Sequence, residues 1–520
     1  MISNVGGCTH LFRWCTNMTK LEYIVTSKGV EEIDADTLVV FTTKKEDRPV
    51  VPDYVKGFVG DLLDDIINAK EFKGDEGEVY LLRVSGKFKR IVLAGLGDSP
   101  SYESLRLATA GFINKLTSTK AEKILVDMSN VPSGVDDKKA LMDLVIISEM
   151  TLYDPGEPYK TRDKKELSIK KIIVKTSGGE ELSPIIEKAK LIADAVNYAR
   201  RIADAPANYM NPEKIEEEAK KLAKQYGLKI KVYRYKDLEK MGMNGIIAVG
   251  KGSSIEPRLI ILEYRGREGD DWDYAFIGKT VTFDAGGLNL KPTGYIDEMK
   301  YDKSGGATVL GIMKAVASLK LPLNIVGALP AVENLPGPTA TKPKDIVKMY
   351  NGMTIEVGNT DAEGRIILAD TLSYVDKNYK PKLIFDLATL TGAIVIALGN
   401  YAAGLFTEND EVAEKLYKLG LETGERVWRM PLWKEYYDQL KSEFADINNI
   451  GGRPAGAITA AAFLSHFVED KRKWIHLDIA GTAWVQKGHP KKPYYKPAAT
   501  GFGVRLLIYY LLEKHGFLSK

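Results

Sequence analysis

The C-terminal part of the chain alternates short apolar runs with helix-like segments, and this alternation constrains the fold more than any other feature. Lys229–Tyr233, Ala275–Gly278, Asn324–Leu329, Leu383–Leu387 and Trp474–Ile479 read as buried strands, with Gly306–Ala317 and Arg365–Val375 as helices between them. Strands and helices in alternation build a doubly wound, mixed α/β sheet. Ligand sites in such sheets lie at the carboxyl ends of the strands. Loops that follow strands are therefore where chemistry is to be sought.

A weaker alternation precedes it. Leu38–Thr42, Arg90–Leu96 and Lys123–Asp127 read as strands and Tyr102–Leu116 as a helix, giving a smaller N-terminal α/β domain over residues 19–176. Glu181–Ala203 reads as a long helix, with an apolar stripe of Ile185, Ala189, Ile192, Val196 and Ala199. Ser183 is the expected cap and Pro184 the first helical residue. This helix, within residues 177–205, joins the small domain to a larger domain at 206–520; residues 1–18 read as a disordered extension, with Met18 a second candidate start. Pro206 ends the helical pattern.

Composition removes several function classes. Lys+Arg 73 against Asp+Glu 70 gives a net charge of +3, so no global electrostatic case exists for nucleic acid or an anionic membrane. No apolar run approaches the roughly 20 residues that span a bilayer; Ala393–Leu398 and Leu506–Leu512 read as core pieces. Cys8 and Cys15 are the only cysteines. With no disulfide framework and no secretory pattern in Met1–Asn17, the reading is a reducing, cytoplasmic compartment.

The segment Asn359-Thr360-Asp361-Ala362-Glu363-Gly364-Arg365 precedes an apolar helix. In an extended backbone alternate side chains share a face, so Asp361, Glu363 and Arg365 are expected to point the same way. Taken alone, such a run reads more readily as a solvated acidic turn at a helix start. Upstream, however, Lys279, Asp284, Lys291 and Asp302 follow the strand ending at Gly278, with Gly286-Gly287 and Gly305-Gly306 among them. Several carboxylates in loops after strands are the donor set of a two-metal site. Other motifs fail. Gly278-Lys279-Thr280 lacks the upstream glycine of a phosphate-binding loop, because Asp273 stands there. There is no G-x-S-x-G and no H-E-x-x-H. His476 alternates with Asp478 on a strand and reads as a core or supporting residue, and Gly95-Leu96-Gly97 as a plain turn.

The run Asn359–Arg365 resembles the signature of the leucyl aminopeptidase (cytosol aminopeptidase) family. Gly278–Asp284, Lys291-Pro292 and Met299–Asp302 resemble that family's metal-binding stretch. Ala388–Gly392, Trp428–Leu432, Asp446–Asn449 and His476–Gly481 extend the likeness, which covers about residue 195 onward. The resemblance implies a metallo-exopeptidase acting on peptides with a free N-terminus. Lys279, Asp284, Asp302, Asp361 and Glu363 would ligate two divalent ions (zinc, manganese or cobalt), with Asp284 and Glu363 bridging. Lys291 would stabilise the developing oxyanion, and Arg365 would hold a bicarbonate acting as general base. Met299, Thr389, Leu390, Gly392, Ala480 and Ala483 match the pocket for the first side chain, whose small or apolar lining implies Leu- or Met-like residues. The relatives' homo-hexamer, a dimer of trimers, is implied as well. Departures from the family pattern are Thr280, Ala285, Ile366 and Lys303, the last expected to point away from the metals.

Overall fold

The computed structural model describes residues 21–129, 131, 135–161 and 166–518, so the expected N-terminal extension lies outside the described residues. The chain divides into two compact units, Met1–Glu187 and Lys188–Lys520. Among the described residues no helix is long and apolar enough to cross a membrane.

Among the described residues the first unit holds seven strands: β1 (Glu22–Thr26), β2 (Thr37–Lys45), β3 (Arg48–Val50), β4 (Val79–Arg83), β5 (Arg90–Gly95), β6 (Lys123–Asp127) and β7 (Lys171–Lys175). Their order is β1-β7-β6-β2-β5-β4, with β3 added to β2. The pairings are parallel except those of β3 and β4. Leu38, Val40, Ile91, Leu93 and Leu125 pack one face against Phe72 and Phe88. The helix Tyr102–Leu116 begins where the sequence places it, capped at Ser101 Oγ, which accepts the Ser104 N–H at 3.2 Å.

The long helix spans Ser183–Asp204. Its start differs from the sequence reading. A 3-10 turn over Gly179–Leu182 runs directly into it, and Ser183 already has helical dihedrals. The Ser183 hydroxyl therefore donates to the Glu180 carbonyl at 2.7 Å instead of capping the helix.

The second unit contains β8 (Lys229–Arg234), β9 (Arg258–Arg265), β10 (Tyr274–Gly278), β11 (Thr280–Asp284), β12 (Asn324–Asn334), β13 (Ile346–Lys348), β14 (Thr354–Glu356), β15 (Leu383–Ala388), β16 (Ala403–Phe406), β17 (Val427–Arg429), β18 (Ile447–Asn448) and β19 (Trp474–Asp478). The main sheet runs β17-β16-β19-β15-β10-β12-β9-β8, with β11 on β12, and β13-β14-β18 form a small separate sheet. Its centre, β19-β15-β10-β12, is wholly parallel and its margins carry antiparallel pairs, so the sheet is mixed. β8 is the last strand and half exposed, not buried as its apolar alternation suggested, because only β9 pairs with it. The run Ala393–Leu398 belongs to the helix Gly392–Leu398, which buries only Ile394 and leaves Ile396 89% exposed. It is a surface helix, not a core piece. The helix Val504–Lys514 does bury its apolar residues.

The topology places a crevice. From β10 the chain continues to β12 on one side and later returns to β15 on the other. The strand order thus switches between β10 and β15, and their carboxyl ends open a gap where a ligand can enter. The Lys279 N–H donates to the Leu387 carbonyl at 3.0 Å, so the two strands stay paired up to that carboxyl edge.

Candidate metal centre

Lys279 is the first residue past β10, and Asp284 ends β11. Asp302 lies in the 3-10 segment Ile296–Lys303, which leads into the helix Ser304–Ser318. Glu363 opens the helix Glu363–Tyr379, preceded by Asp361 in a turn. The stretch is not extended, as the alternation argument had it. The Ala362 N–H donates to the Asn359 carbonyl at 3.3 Å and the Asp361 N–H to Asn359 Oδ1 at 2.8 Å, so a turn folds the acid back. Asp361 and Glu363 converge because one projects from this turn and the other from the first helical turn.

Carboxylate oxygens of Asp284, Asp361 and Glu363 lie within 4.8 Å of one another. Two lysines enter the same cluster. Lys279 Nζ is 2.7 Å from Glu363 Oε1 and 2.9 Å from Asp302 Oδ1, and donates to the Thr389 carbonyl at 3.0 Å. Lys291 Nζ is 2.6 Å from Asp361 Oδ1 and 2.9 Å from Asp284 Oδ2. Asp284, Asp302, Glu363 and Lys279 are all at most 5% exposed. Four carboxylates thus face two ammonium groups, leaving a formal excess of two negative charges in a buried space.

That excess governs the protonation of the cluster. Burial, reinforced by the Glu363 charge, pushes Asp284 up to about 7, against the pull of both lysines. Burial also raises Asp302 well above the ordinary carboxylate range and raises Asp361. Glu363 resists burial and stays low because Lys279 and Lys291 flank it. Burial would lower both lysines, yet the surrounding carboxylates raise them. Asp302 Oδ2 is buried without a hydrogen-bond partner. An excess of buried negative charge and an orphaned carboxylate oxygen are what divalent cations satisfy. The donor set fits such ions.

Two glycines make the convergence possible. At Gly286, with φ +89°, a Cβ would stand 2.8 Å from Asp361 Oδ1 and 2.3 Å from the Asn289 carbonyl. At Gly364 a Cβ would lie 2.5 Å from Lys279 Cε and 2.7 Å from Nζ, so a larger residue there would have to shift the Lys279 side chain from its approach to Glu363.

Amide side chains that the sequence reading did not single out hold the loops. Asn334 Nδ2, at the end of β12, donates to Asp284 Oδ1 at 2.8 Å and to the Thr360 carbonyl at 3.0 Å, bridging the two acidic segments. Asn289 Oδ1 accepts the Thr360 N–H at 2.9 Å. Asn449 ties down the turn before Glu363. Its place inside the quoted Asp446–Asn449 stretch was the available signal. Asn334 had none beyond its position at a strand end.

Arg365 is 7% exposed, with Nη1 donating to the Asn449 carbonyl at 2.8 Å and Nε buried without a partner. Burial lowers it to about 10, while Glu363 and Asp478 oppose the fall. Asp478 organises the loop after β15: its carboxylate accepts the Leu390 N–H at 3.1 Å, the Ala480 N–H at 3.2 Å and the Thr391 hydroxyl at 2.6 Å. Thr389 Oγ1 donates to Asp302 Oδ1 at 2.8 Å. Thr389 thereby touches the acidic cluster, while Leu390 and Ala480 are held together by Asp478. Met299 is half-buried three residues before Asp302, and Gly392 is exposed. Ala483 is 3% exposed and lines a small internal cavity with Ala203, Ser304 and Gly501.

Lys303 lies with its ammonium turned from the carboxylates, donating to the Ala205 carbonyl at 2.8 Å. Thr280 is buried, its hydroxyl donating to the Gly278 carbonyl, and Ile366 joins the core. His476 is buried in the sheet packing, with Nδ1 2.6 Å from Asp386 Oδ1 and its ring stacked on Trp474.

The model described as "Cytosol aminopeptidase family, catalytic domain" matches residues 197–508. The model of the same family's N-terminal domain matches residues 39–160. A probable cytosol aminopeptidase of Cenarchaeum symbiosum is 43% identical over 462 residues, covering 88% of this chain and 93% of that protein. One from Chlorobaculum tepidum is 39% identical over 501 residues, covering 93% and 98%. Among solved structures, a variant of tomato leucine aminopeptidase aligns with a TM-score of 0.86 at 30% identity, covering 96% of this chain and 97% of that one. The bottromycin maturation enzyme BotP in complex with Mn aligns with a TM-score of 0.81 at 30% identity, covering 92% and 99%.

Proposed function

Because the chain belongs to the cytosol aminopeptidase family, whose members are metal-dependent aminopeptidases, we propose that it removes N-terminal residues from peptides at a two-metal centre. Lys279, Asp284, Asp302, Asp361 and Glu363 would hold the two ions, with Asp284 and Glu363 shared between them. The observation that carries this reading is the convergence of the buried Asp284 and Glu363 with the partly exposed Asp361 within 4.8 Å, with Lys279 linking Glu363 to Asp302. When bound, the ions would polarise the scissile carbonyl and acidify a water to a pKa of about 7.

The chain's own groups divide the remaining work. Lys279 ligates as neutral amine, a form that keeps two N–H groups, one of which can stay on the Thr389 carbonyl. Lys291 stays protonated between Asp284 and Asp361 and lies where a developing oxyanion needs a donor. Arg365, with its buried unpaired Nε, would hold an anion, bicarbonate in this reading, which would supply a general base. Met299, Thr389, Leu390, Gly392, Ala480 and Ala483 form the pocket for a Leu- or Met-like first side chain. A free N-terminal amine completes recognition and makes the enzyme an exopeptidase.

Zinc or manganese is the expected metal, with cobalt the third candidate, since all three accept oxygen-rich sites. A cytoplasmic homo-hexamer belongs to the same reading, and a monomer in analytical ultracentrifugation would remove that part. The central test is metal content, followed by hydrolysis of leucine p-nitroanilide after chelation and refilling with each ion. Hydrolysis that survives complete chelation would refute the two-metal reading.

A further inference from the structure

One buried amide outside the expected ligand set is committed entirely to the segment that carries the ligands. Asn449 follows β18, which pairs in parallel with β14 in the register Ile355↔Ile447 and Glu356↔Asn448. That register places Asn449 beside the chain leading from β14 into the turn. Its backbone N–H donates to the Glu356 carbonyl at 2.9 Å. Its side chain is fully buried. There Oδ1 accepts the Gly358 N–H at 2.8 Å and the Asn359 N–H at 3.2 Å. Nδ2 donates to the carbonyls of Asn359 at 2.8 Å and Ala362 at 3.3 Å. Its own carbonyl accepts from Arg365 Nη1 at 2.8 Å. Every polar group of this one residue is therefore spent between positions 356 and 365.

The pattern does more than stabilise a loop. The Asn359 and Ala362 carbonyls bracket Asp361, and a single amide nitrogen grips both, which fixes the pitch of the turn. The Asn449 carbonyl occupies one corner of the Arg365 guanidinium and turns its buried, unpaired Nε to another side. We infer that Asn449 is a positioning residue of the reaction, locking the turn of Asp361 and Glu363 to the Arg365 guanidinium so that ligand set and anion holder keep one geometry. This rests on the two-metal reading proposed above.

The chemistry of the position admits few substitutes. Aspartate has the shape but no donors, and serine keeps one acceptor but cannot span both carbonyls. Partners that orient metal ligands are worth about 10- to 100-fold in metal affinity or activity. Asn324 supplies a matched control: it is equally buried, its Nδ2 donates to the carbonyls of Gly269 and Asp271, and it takes no part in the site.

The test compares full-length wild type with N449A, N449D, N449S and N324A. Mn²⁺ binding to the metal-stripped proteins is measured by calorimetry, kcat and KM on leucine p-nitroanilide at saturating Mn²⁺, and the thermal midpoint alongside. The Asn449 variants should bind Mn²⁺ about 10- to 100-fold more weakly and lose at least about tenfold in kcat with KM nearly unchanged. N324A should lose thermal stability alone. N449S serves if N449A does not fold. Wild-type Mn²⁺ affinity and kcat in a folded Asn449 variant, with only the thermal midpoint lowered, would overturn the inference while leaving the two-metal reading standing. A wild-type protein that takes up no Mn²⁺ would overturn that reading, and this inference with it.

Discussion

Lys279 and Lys291 share one acidic cluster, and the proposed two-metal chemistry asks them for opposite protonation states. Lys279 is the more buried, its side chain 3% exposed against 14% for Lys291, and two divalent ions nearby would favour its neutral form. Lys291 keeps partial contact with water, which supports its charge. Lys291→Met should therefore lower kcat by about 10²- to 10³-fold, the usual cost of losing one oxyanion donor. It should leave Mn²⁺ affinity unchanged or raised, because a competing cation leaves the Asp284–Asp361 pair. Glu363→Gln should weaken both binding and turnover. Steady-state kinetics paired with calorimetry separates the two outcomes, and equal losses of metal in both variants would assign Lys291 to the ligand set. Gly364→Ala offers a sharper case. Alanine is the better helix former by about 1 kcal/mol, so helical propensity alone favours the variant. A Cβ there would nevertheless displace the Lys279 amine. The metal-free protein should unfold earlier despite the better helix former, because the buried ion pairs of Lys279 with Asp302 and Glu363 are disturbed, and Mn²⁺ affinity should fall as well. Unaltered affinity would mean that Lys279 does not need this approach.

The helix Glu363–Tyr379 carries Glu363 and Arg365 at one end and is anchored mid-length by Asp370. Its Oδ2 accepts the N–H groups of Gly245 and Ile246 at 2.7 and 3.1 Å, open donors at the start of the helix Asn244–Gly250, and Oδ1 accepts the Tyr350 N–H at 2.8 Å. Burial pushes this carboxyl up to about 7, and the three N–H groups pull it back. A folded-state value above the unfolded one favours the native state at low pH. The contribution is complete below about pH 4 and lost as pH rises to about 7, an effect of at most about 4 kcal/mol. Asp370→Asn lacks this titration and faces N–H donors with an NH₂. The stability gap between wild type and variant should shrink from pH 5 to pH 8 in urea unfolding, and parallel pH profiles would disprove it. Elements like this helix were legible in the sequence, since Arg365–Val375 lies wholly within it and the central strands stand where their apolar runs placed them. The family signature brought the acidic residues into one list before any geometry existed. What periodicity could not show was contact across the chain. It missed that Lys229–Arg234 has one neighbour only, that Ile396 faces outward, and that a 3-10 turn pre-empts Ser183. The Asn334 and Asn449 bonds escaped for the same reason, because a polar residue joining distant loops leaves no period behind.

At the scale of the whole molecule, the chemistry is confined. Each proposed ligand and pocket residue falls between Lys279 and Ala483, inside the unit Lys188–Lys520, and the unit Met1–Glu187 supplies none of them. Each unit has its own sheet and its own apolar core. Units built this way can unfold separately, and a ligand stabilises only the unit that binds it. Calorimetry of the metal-stripped chain should resolve two transitions. Mn²⁺ at a hundredfold excess over its dissociation constant should add about 2.7 kcal/mol to one of them and leave the other in place. Glu363→Gln should shrink that displacement without moving the metal-independent transition, which would assign the shifted one to the C-terminal unit. A single transition, or two that move together on adding Mn²⁺, would instead show that the N-terminal unit shares the energy of metal binding and cannot be treated as an independent body.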